Sequence, residues 1–369
     1  MKDVRVHERF MRMALGLAAR GAGQSSPNPM VGAVLVRNGE VVSRGWHRAA
    51  GRDHAEVEAL KAVGFRAPGC DLYVNLEPCC HQGRTPPCTG AVAHSGIRRV
   101  FVGMIDPNPK VSGKGIGQLR DQGIEVHTGL LETRARRLNA PFIKWVGTGR
   151  PLVTLKMAST LDGKTAQRDG SARWITSAQS RRQVHRMRSH CDCVMVGAGT
   201  ARLDDPLLLP TLVRSGGVPV RAVVDETPSL APDSQLVRTV ADSPVLVFTT
   251  KSGDSSRIAT LKEKGVEVVG LGGRDGLVPL SGVIDELGNR GIQSLLVEGG
   301  AELAAALIKE GLVDRFLLFM APRLLGDPSA RPLCDDMGIR TLDHALQFTV
   351  IHTRRLGPDI MVEMEPGSR

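Results

Sequence analysis

The sequence predicts an α/β protein made of two domains, and three observations support this prediction. Its 369 residues exceed the usual size of one hydrophobic core, and 41% hydrophobic residues are enough to fill two. Runs rich in β-forming residues alternate with helical patterns in both halves, which is typical of sheets covered by helices. The breaker sequence GTGRP, residues 147–151, interrupts this pattern, so we expect domains at residues 1–147 and 148–369.

The first half begins with VHERFMRMALGLAARG, whose apolar residues recur at helical spacing until Gly21 and Gly23 stop the helix. Two β-rich runs then flank Asn38-Gly39, a dipeptide typical of a type I′ hairpin. The remaining segments alternate, in the order HAEVEALKAV (helix), DLYVNLE (strand), TGAVAHSG (helix), RRVFVGM (strand), GIGQLRDQG (helix) and IEVHTG (strand). A helical linker, LETRARRLNAPFIKWV, leads to the boundary. This order predicts a hairpin that continues into a sheet covered on both faces.

The second half restarts with a strand, PLVTLKMAST, followed by a polar loop and a helix, SAQSRRQVHRMRS. Further buried strands are predicted at CVMVG, RAVVD, PVLVFTT, VEVVGL and SLLVEGG. Helices such as SRIATLKEKG and AELAAALIKEG separate them. Two late runs, RFLLFMAPRLL and HALQFTVIHTRR, predict a closing antiparallel pair.

The charge of the chain favours a small phosphorylated partner. A formal net charge of +10 indicates anionic partners. Aromatic residues make up only 3%, with a single Tyr, which argues against a stacking platform for single-stranded nucleic acid. Lys and Arg are scattered through patterned segments instead of forming a basic tail. We therefore expect a phosphate-bearing metabolite as substrate and no nucleic acid partner.

No stretch of the sequence is apolar enough for a signal peptide or a membrane span, so we expect a cytoplasmic protein without a membrane partner. In that reducing compartment, 7 cysteines at uneven spacings indicate metal binding or catalysis in preference to disulfides.

A metal site is predicted from His54, Cys79 and Cys88. One imidazole and two thiolates make a three-ligand zinc site whose fourth position is left for water. The pattern H-x-E followed by P-C and a further Cys is the signature of zinc deaminases, in which the Glu moves protons without binding the metal. Side chains two residues apart do not share a helix face, so Glu56 is better placed beside the water than as a ligand. Glu56 is therefore the predicted catalytic residue.

The residues leave alternative interpretations open. His54 and the cysteines could be an ordinary buried histidine and thiols, or a structural zinc site. Nucleic-acid and nucleoside deaminases typically carry P-C-x-x-C, whereas eight residues separate Cys79 from Cys88, and Cys80 is expected to pack elsewhere. A second cluster, HRMRSHCDC, is interpreted as structural because its arginines would repel a cation and Cys191 and Cys193 open a buried strand.

Across most of its length the chain resembles the bifunctional riboflavin-biosynthesis deaminase/reductases of bacteria. The matching motifs are PNPMVGAVLV, HAE, EPCCHQGRTPPC, DPNPKVSGKG, TLKMASTLDGK, WITS and VEGGAELAAAL. The resemblance implies an N-terminal cytidine-deaminase-like three-layer α/β/α domain and a C-terminal α/β domain similar to dihydrofolate reductase. It further implies zinc-dependent deamination of a phosphoribosylaminopyrimidine, reduction of its ribosyl group by NADPH, and a homo-oligomer.

The resemblance also implies a set of site residues, by motif. For the deaminase it implies zinc at His54, Cys79 and Cys88, with substrate contacts at Asn28, Arg84, Asp106, Asn108 and Lys114. For NADPH it implies Ala158, Trp174, Thr200, Asp204, Gly300, Ala301, Glu302, Leu303, Ala304, Ala305 and Ala306. For the reductase substrate it implies Ala172, Arg188, Leu208, Thr211 and Glu298.

Two of these positions depart from the family pattern. Ala172 stands where the family usually has Ser, and Thr211 stands where it has Arg, with Arg214 as a displaced candidate. The residues alone show only a strand that delivers Gly299 and Gly300 to a helix N-terminus, which suits a pyrophosphate but also an ordinary tight turn. Preference between NADPH and NADH is left open.

Two other functions are compatible with parts of the sequence. An RNA-editing deaminase would explain the basic charge and the zinc signature, although the cysteine spacing and the second domain argue against it. A ligand sensor with a structural zinc is the alternative among binding proteins.

Overall fold

The computed structural model of the protein describes residues 2–83, 86–213, 216–273 and 276–367. The chain divides into two compact units, Met1–Gly149 and Arg150–Arg369. The last helix of the first unit continues to Thr148, and Gly149 ends it with a φ of 72°. A left-handed residue at this position is a common helix stop and suits glycine.

The first unit begins with a long helix and a hairpin. Its elements in chain order are α1 (Lys2–Ala18), β1 (Gly32–Arg37), β2 (Glu40–Trp46), α2 (Ala55–Lys61), β3 (Asp71–Leu76), α3 (Cys88–His94), β4 (Arg99–Met104), α4 (Lys114–Asp121), β5 (Glu125–Thr128), α5 (Glu132–Leu138) and α6 (Ala140–Thr148). The helices and strands predicted for this half are confirmed.

Five strands of the first unit form one sheet in the order β2-β1-β3-β4-β5. β1 pairs antiparallel with β2 and β3, whereas β3, β4 and β5 run parallel. Asn38 and Gly39 have φ values of 51° and 80°, as a type I′ turn requires, so the predicted hairpin is confirmed. Because β3 and β4 are parallel neighbours, the residues that follow them meet at one edge of the sheet.

Helices cover both faces of this sheet, as predicted. Side chains alternate along β1: Ala33 and Leu35 belong to the core beneath α2 and α4, whereas Val34 and Val36 belong to the core beneath α1. A Cβ on Gly45 of β2 would lie 2.3 Å from the Ala55 carbonyl oxygen, so only glycine permits this approach. The close approach fixes the beginning of α2 against the sheet.

The second unit contains a larger sheet. Its elements are β6 (Leu152–Ser159), β7 (Lys164–Ala166), α7 (Ala178–His190), β8 (Cys193–Gly197), α8 (Ala198–Asp204), β9 (Val220–Val224), α9 (Gln235–Arg238), β10 (Val245–Thr250), α10 (Ser255–Glu263), β11 (Glu267–Leu271), α11 (Leu280–Asn289), β12 (Ser294–Val297), α12 (Ala301–Lys309), β13 (Arg315–Met320), β14 (Arg331–Pro332), β15 (Phe348–Leu356) and β16 (Asp359–Pro366).

The order in this sheet is β11-β10-β9-β8-β12-β6-β13-β16-β15. The strands from β11 to β13 in this order are parallel, and their buried positions form the main core with α11 and α12. Ligands of open parallel sheets bind beyond the carboxyl ends of the strands. Here the neighbours β8, β12 and β6 bring their carboxyl ends together.

The predicted closing pair is wrong in its partners. Both late runs form strands, but β13 and β15 each pair antiparallel with β16, which lies between them. The sequence DIMVEMEP of β16 was not predicted as a strand. β16 follows Gly357, whose φ of 66° suits the tight turn of a hairpin with β15. Because this hairpin pairs β16 with β15, β16 and not β15 is the neighbour of β13.

No helix in the described ranges combines the length and the apolar character needed to cross a membrane. All 7 cysteines are free thiols.

Candidate functional site

The first unit brings His54, Cys79 and Cys88 together. His54 is the N-cap residue of α2, Cys79 follows the end of β3, and Cys88 is the first residue of α3. The His54 Nδ1 atom lies 3.2 Å from Cys88 Sγ and 3.5 Å from Cys79 Sγ. The ligand atoms of all three residues lie within 4.8 Å of one another.

This geometry fits a zinc ion. Zinc bonds of about 2.0–2.3 Å at tetrahedral angles separate the ligand atoms by about 3.5–3.8 Å, close to the distances found here. The first backbone N–H of α3, on Cys88, donates to Cys79 Sγ at 3.4 Å, and the positive end of a helix favours a thiolate. Hydrogen bonds with Cys88 and His54 lower the pKa of Cys79. Within the described ranges, no other cluster of His, Cys, Asp or Glu has this metal-binding geometry.

Glu56 lies in the first turn of α2 and is 3% exposed. Burial, and then the charge of Cys79, raise the pKa of Glu56 from 4.5 to about 7. A carboxyl group with a pKa near neutrality can both accept and release a proton at physiological pH. The burial and pKa of Glu56 therefore suit the proton transfer expected of it.

A cavity of about 350 Å³ opens onto this cluster. Its lining includes the zinc-ligand candidates His54 and Cys79 as well as Asn28, Asp106 and Asn108. Asp106 and Asn108 follow β4, and the backbone N–H of Asn108 donates to Asp106 Oδ1 at 2.8 Å. Burial raises the pKa of Asp106 to about 6. The structure thus gathers three of the five predicted deaminase substrate contacts in one cavity.

Of the other two predicted contacts, only Lys114 belongs to the described residues. Lys114, the first residue of α4, donates from Nζ to the Pro109 carbonyl oxygen at 3.1 Å and is absent from the described lining of the cavity. Arg84 lies outside the described residues. The neighbouring Cys80 Sγ is turned to the Lys110 carbonyl oxygen, 3.9 Å away.

His47 is a cavity residue that the sequence did not reveal. Its Nε2 atom lies 3.0 Å from Asn28 Nδ2, and its Nδ1 atom lies 3.0 Å from the Asp53 carbonyl oxygen. A carbonyl only accepts, so Nδ1 carries the proton and Nε2 accepts from the Asn28 amide. Burial lowers the pKa of His47, which favours this neutral form. The histidine therefore orients Asn28; a lone His after a strand gave no signal for that role.

The second unit contains a buried charge cluster at the ends of its central strands. Arg188 of α7 binds Glu298, which follows β12, through two bonds: Nε to Oε1 at 2.6 Å and Nη2 to Oε2 at 3.0 Å. Lys156 of β6 lies 3.8 Å from Glu298 Oε2, and its side chain is only 17% exposed. The structure therefore joins the predicted pair Arg188 and Glu298, and adds Lys156.

No role was predicted for Lys156 from the sequence, although the strand that carries this residue was predicted. Burial lowers the pKa of Lys156 in spite of the opposing charge of Glu298. Asp204 contributes to the same electrostatic environment, and burial raises the pKa of Asp204. The sequence signal was a lysine inside an otherwise apolar strand, which is costly unless the charge is paired or used.

The predicted cofactor contacts from Gly300 to Leu303 lie where β12 meets α12. Gly300 is the N-cap residue of α12, and no side chain caps the first turn. A Cβ on Gly300 would lie 3.6 Å from Thr200 Oγ1, so α8 and α12 begin side by side. Bare N–H groups at a helix N-terminus suit a phosphate. Ala301, Glu302 and Leu303 supply that first turn.

Beyond its first turn, α12 has backbone N–H groups that are already hydrogen-bonded and side chains that pack into the core. The Ala304 N–H already donates to the Gly300 carbonyl oxygen at 3.0 Å. Ala304 belongs to the main core, and Ala306 packs against it. Ala304, Ala305 and Ala306 thus lie on the body of the helix, behind the predicted phosphate contact.

The remaining predicted residues spread around this region. Ala158 lies near the end of β6, and Trp174 is 60% exposed with the Arg181 guanidinium 4.6 Å above its ring. Leu208 has a φ of 57° and is buried among core residues, so it can offer a ligand only its backbone. Ala172 is half-buried, and Thr211 is exposed. Arg214 lies outside the described residues.

The two cysteines of the second Cys/His cluster, which the sequence analysis interprets as structural, contact protein groups of the second unit. Cys193 lies in the main core, and Cys191 Sγ donates to the Arg188 carbonyl oxygen at 3.5 Å. Burial raises the pKa of both thiols, which keeps them protonated.

Two protein-family models match the chain. The RibD C-terminal domain matches residues 151–362. The cytidine and deoxycytidylate deaminase zinc-binding region matches residues 4–104. The two matches fall in different structural units, and the predicted combination of deaminase-like and reductase-like folds is confirmed.

Curated relatives match over nearly the whole length. Riboflavin biosynthesis protein RibD of Aquifex aeolicus is 42% identical over 358 residues, which is 97% of this chain and 98% of that protein. The protein of the same name from Escherichia coli is 38% identical over 370 residues, covering 97% and 98%.

Solved structures of RibD proteins are also similar to this chain over nearly its whole length. Form 1 of Acinetobacter baumannii RibD has a TM-score of 0.89 and 34% identity, covering 99% of this chain and all of that one. A diaminohydroxyphosphoribosylaminopyrimidine deaminase/5-amino-6-(5-phosphoribosylamino)uracil reductase from Thermotoga maritima has a TM-score of 0.87 and 34% identity, with 99% of this chain covered.

Proposed function

Because the chain belongs to the RibD family of riboflavin biosynthesis proteins, we propose that each structural unit carries one of its two activities. The protein is a bifunctional enzyme: a zinc-dependent hydrolase that deaminates 2,5-diamino-6-(5-phosphoribosylamino)pyrimidin-4-one, and an NADPH-dependent reductase that converts the ribosyl group of the resulting uracil to ribityl. The deaminase is assigned to residues 1–147 and the reductase to 148–369. The RNA-editing and ligand-sensor alternatives are therefore not adopted.

For the deaminase, His54, Cys79 and Cys88 are proposed to hold zinc. When bound, this ion supplies a water molecule made acidic enough to act as the nucleophile. Glu56 takes a proton from the attacking water and delivers it to the amino group, which leaves as ammonia while the ring carbon becomes a carbonyl. The observation that carries the proposal is geometric: the ligand atoms of the three zinc candidates lie within 4.8 Å of one another, at the cavity that Glu56 also lines. Burial raises the pKa of Glu56 to about 7, which suits both transfers.

Asn28, Asp106 and Asn108 are proposed to hold the substrate in the cavity. His47 accepts from the Asn28 Nδ2, which leaves the Asn28 oxygen for a donor on the substrate. Arg84 and Lys114 remain proposed phosphate contacts.

For the reductase, bound NADPH would supply the hydride that reduces the ribosyl C1′, and the ring oxygen, on leaving that carbon, would take up a proton to become a hydroxyl. Gly300, Ala301, Glu302 and Leu303, with Thr200, are proposed to hold the pyrophosphate. Ala158, Trp174, Asp204, Ala304, Ala305 and Ala306 remain proposed neighbours of the dinucleotide.

Lys156 is a suitable proton donor, because burial weakens its hold on the proton and lowers its pKa. Glu298 holds Arg188 in place for the substrate phosphate. Ala172, Leu208 and Thr211 remain proposed substrate contacts.

A cytoplasmic homo-oligomer is also proposed. Reduced thiols at Cys79 and Cys88 support the compartment, and family membership supports the assembly. Light scattering of the purified zinc-loaded enzyme measures the number of chains.

The assignment is tested with Glu56→Gln. We expect ammonia release to fall by about 10²–10⁴, the usual contribution of a general acid–base, while zinc content is retained. NADPH oxidation with the already deaminated substrate is expected to be unchanged. Glu58→Gln is the matched control, since Glu58 lies on the same helix but pairs with Arg48 at the surface, 3.8 Å away. Undiminished ammonia release by Glu56→Gln would remove the proposed proton carrier.

A further inference from the structure

Glu77 is a buried carboxylate that the proposed reactions do not use. It follows β3, is 3% exposed, and contributes to the cavity lining. Removing a carboxylate from water is costly unless hydrogen-bond donors replace the water. Glu77 therefore needs partners, and their identity indicates its role.

Three backbone N–H groups supply those partners. The N–H groups of Asp106 and Gly113 donate to Glu77 Oε2 at 3.1 Å and 2.9 Å. The N–H of Ile116 donates to Oε1 at 3.1 Å. All three donors belong to the segment that leaves β4 and enters α4, so one side chain fixes both ends of this segment.

The bonds to Gly113 and Ile116 cap α4 from another element. Gly113 is the N-cap residue and Ile116 is the third residue of the helix, and Gly113 has no side chain to cap with. In an ordinary capping box two side chains satisfy these same two N–H groups. Here the single carboxylate of Glu77 satisfies both and places a negative charge at the positive end of α4.

The approach of α4 to this site is too close for any other residue at Gly115. A Cβ there would lie 2.1 Å from the Pro78 carbonyl oxygen and 3.2 Å from Glu77 Oε1. The segment is thus pressed against the residues that lead directly into Cys79, and its position depends on these contacts.

We infer that Glu77 is a positioning residue for substrate binding by the deaminase, an inference that rests on the proposed function. The segment it holds carries Asp106 and Asn108, both in the cavity lining. The same segment leads to Lys114 at the beginning of α4. Glu77 fixes the position of these residues and so determines how tightly the deaminase binds its substrate.

Glu77→Gln tests this inference in the zinc-loaded full-length enzyme. Glutamine replaces one acceptor oxygen with an NH₂ group that faces N–H donors. We expect the KM for the phosphorylated deaminase substrate to rise about tenfold or more, while kcat changes by less than about threefold. Hydrogen exchange at the Asp106, Gly113 and Ile116 amides is expected to accelerate. Zinc content and NADPH oxidation of the deaminated substrate are expected to stay at wild-type values.

Two further variants complete the test. Thr89→Val is the control, because the Thr89 hydroxyl also holds α4, through Gln118 Oε1 at 2.9 Å, but away from its first turn; its KM is expected to be unchanged. Glu77→Asp keeps the charge with a shorter reach, so its KM is expected to lie between wild type and Glu77→Gln. It is also the variant to measure if Glu77→Gln loses zinc.

An unchanged KM with slower turnover, or an unchanged KM in Glu77→Asp after zinc loss in Glu77→Gln, would overturn the inference. Failure of the proposed function is distinguishable, since in that case the wild-type enzyme itself releases no ammonia.

Discussion

The two candidate centres of this protein are built from different groups. In the first unit, the proposed chemistry depends on the side chains of His54, Glu56, Cys79 and Cys88, and all four lie within a short stretch of sequence. In the second unit, the proposed phosphate contact consists of backbone N–H groups at the beginning of α12. The charge cluster beside it joins side chains that lie more than a hundred residues apart in sequence.

The difference explains why one centre was predicted from the residue pattern itself and the other only from the family resemblance. Zinc accepts few side-chain types, chiefly His, Cys and carboxylates, so its ligands leave a readable pattern in the sequence. Backbone N–H groups can bind a phosphate wherever no side chain blocks them, so such a site needs no particular residue type except a small one. A glycine before a helix is equally typical of an ordinary tight turn. Lys156 was overlooked for a related reason: its partner Glu298 becomes a neighbour only through the pairing of β6 with β12.

Removing a candidate metal ligand is the strongest test of the difference between the two centres. Cys88→Ala leaves two of the three candidate ligands, so we expect bound zinc and ammonia release to fall to background. NADPH oxidation of the deaminated substrate is expected to remain, because the second unit has its own core. Metal analysis and the two activity assays measure these outcomes. Cys80→Ala is the adjacent control and keeps its zinc. One zinc per chain in Cys88→Ala would show that the centre is held by other groups.

The second test addresses the charge cluster. Glu298→Gln leaves Lys156 and Arg188 buried without their anion, which typically costs about 3–5 kcal/mol in the free energy of unfolding. Burial alone would raise the pKa of Glu298, but the charges of Arg188 and Lys156 lower it below 4.5. A depressed carboxyl pKa stabilises the folded state above pH 4.5, and this contribution is lost as the pH falls through the folded value.

The difference between wild type and Glu298→Gln is therefore expected to be largest near neutral pH and to shrink in acid. Urea unfolding of the second unit over a pH series measures it. Asp285→Asn removes the partner of Arg150 in a surface pair whose side chains are 38% and 50% exposed, and is expected to cost about 1 kcal/mol or less. Equal losses in the two variants would contradict the special role of burial.

The smallest expected effect concerns the proposed phosphate contact at the beginning of α12. In Gly300→Ala the new Cβ would lie at ordinary contact distance from Thr200 Oγ1, so folding is tolerated. The methyl group would nevertheless occupy the space above the first turn of α12, and we expect the Kd for NADP⁺ to rise about tenfold, equivalent to about 1.4 kcal/mol. Calorimetric titration with NADP⁺ measures this change. Unaltered NADP⁺ binding would place the pyrophosphate elsewhere, and ammonia release serves as the internal control.

Two helices and a hairpin that depend on neighbouring residues were predicted correctly from the sequence. Asn38-Gly39 predicted its hairpin, and helical spacing predicted α1 and α12. The order of the last strands was not predictable in this way. β13 and β15 have strand-like sequences, but β16 lies between them. Its position depends on the hairpin at Gly357 and on its pairing with β13, which precedes it by about forty residues.

The sequence by itself determined the division into two α/β halves, the residue types of the zinc centre and the family of the enzyme. These features depend on periodicity, breakers and the narrow choice of metal ligands, all of which are written along the chain. Only the tertiary structure decided that His47 orients Asn28, that Glu77 caps α4, and that Lys156 lies beside Glu298. Each of these contacts joins residues from separate elements, and strand order and helix packing alone bring such groups within hydrogen-bonding or electrostatic range.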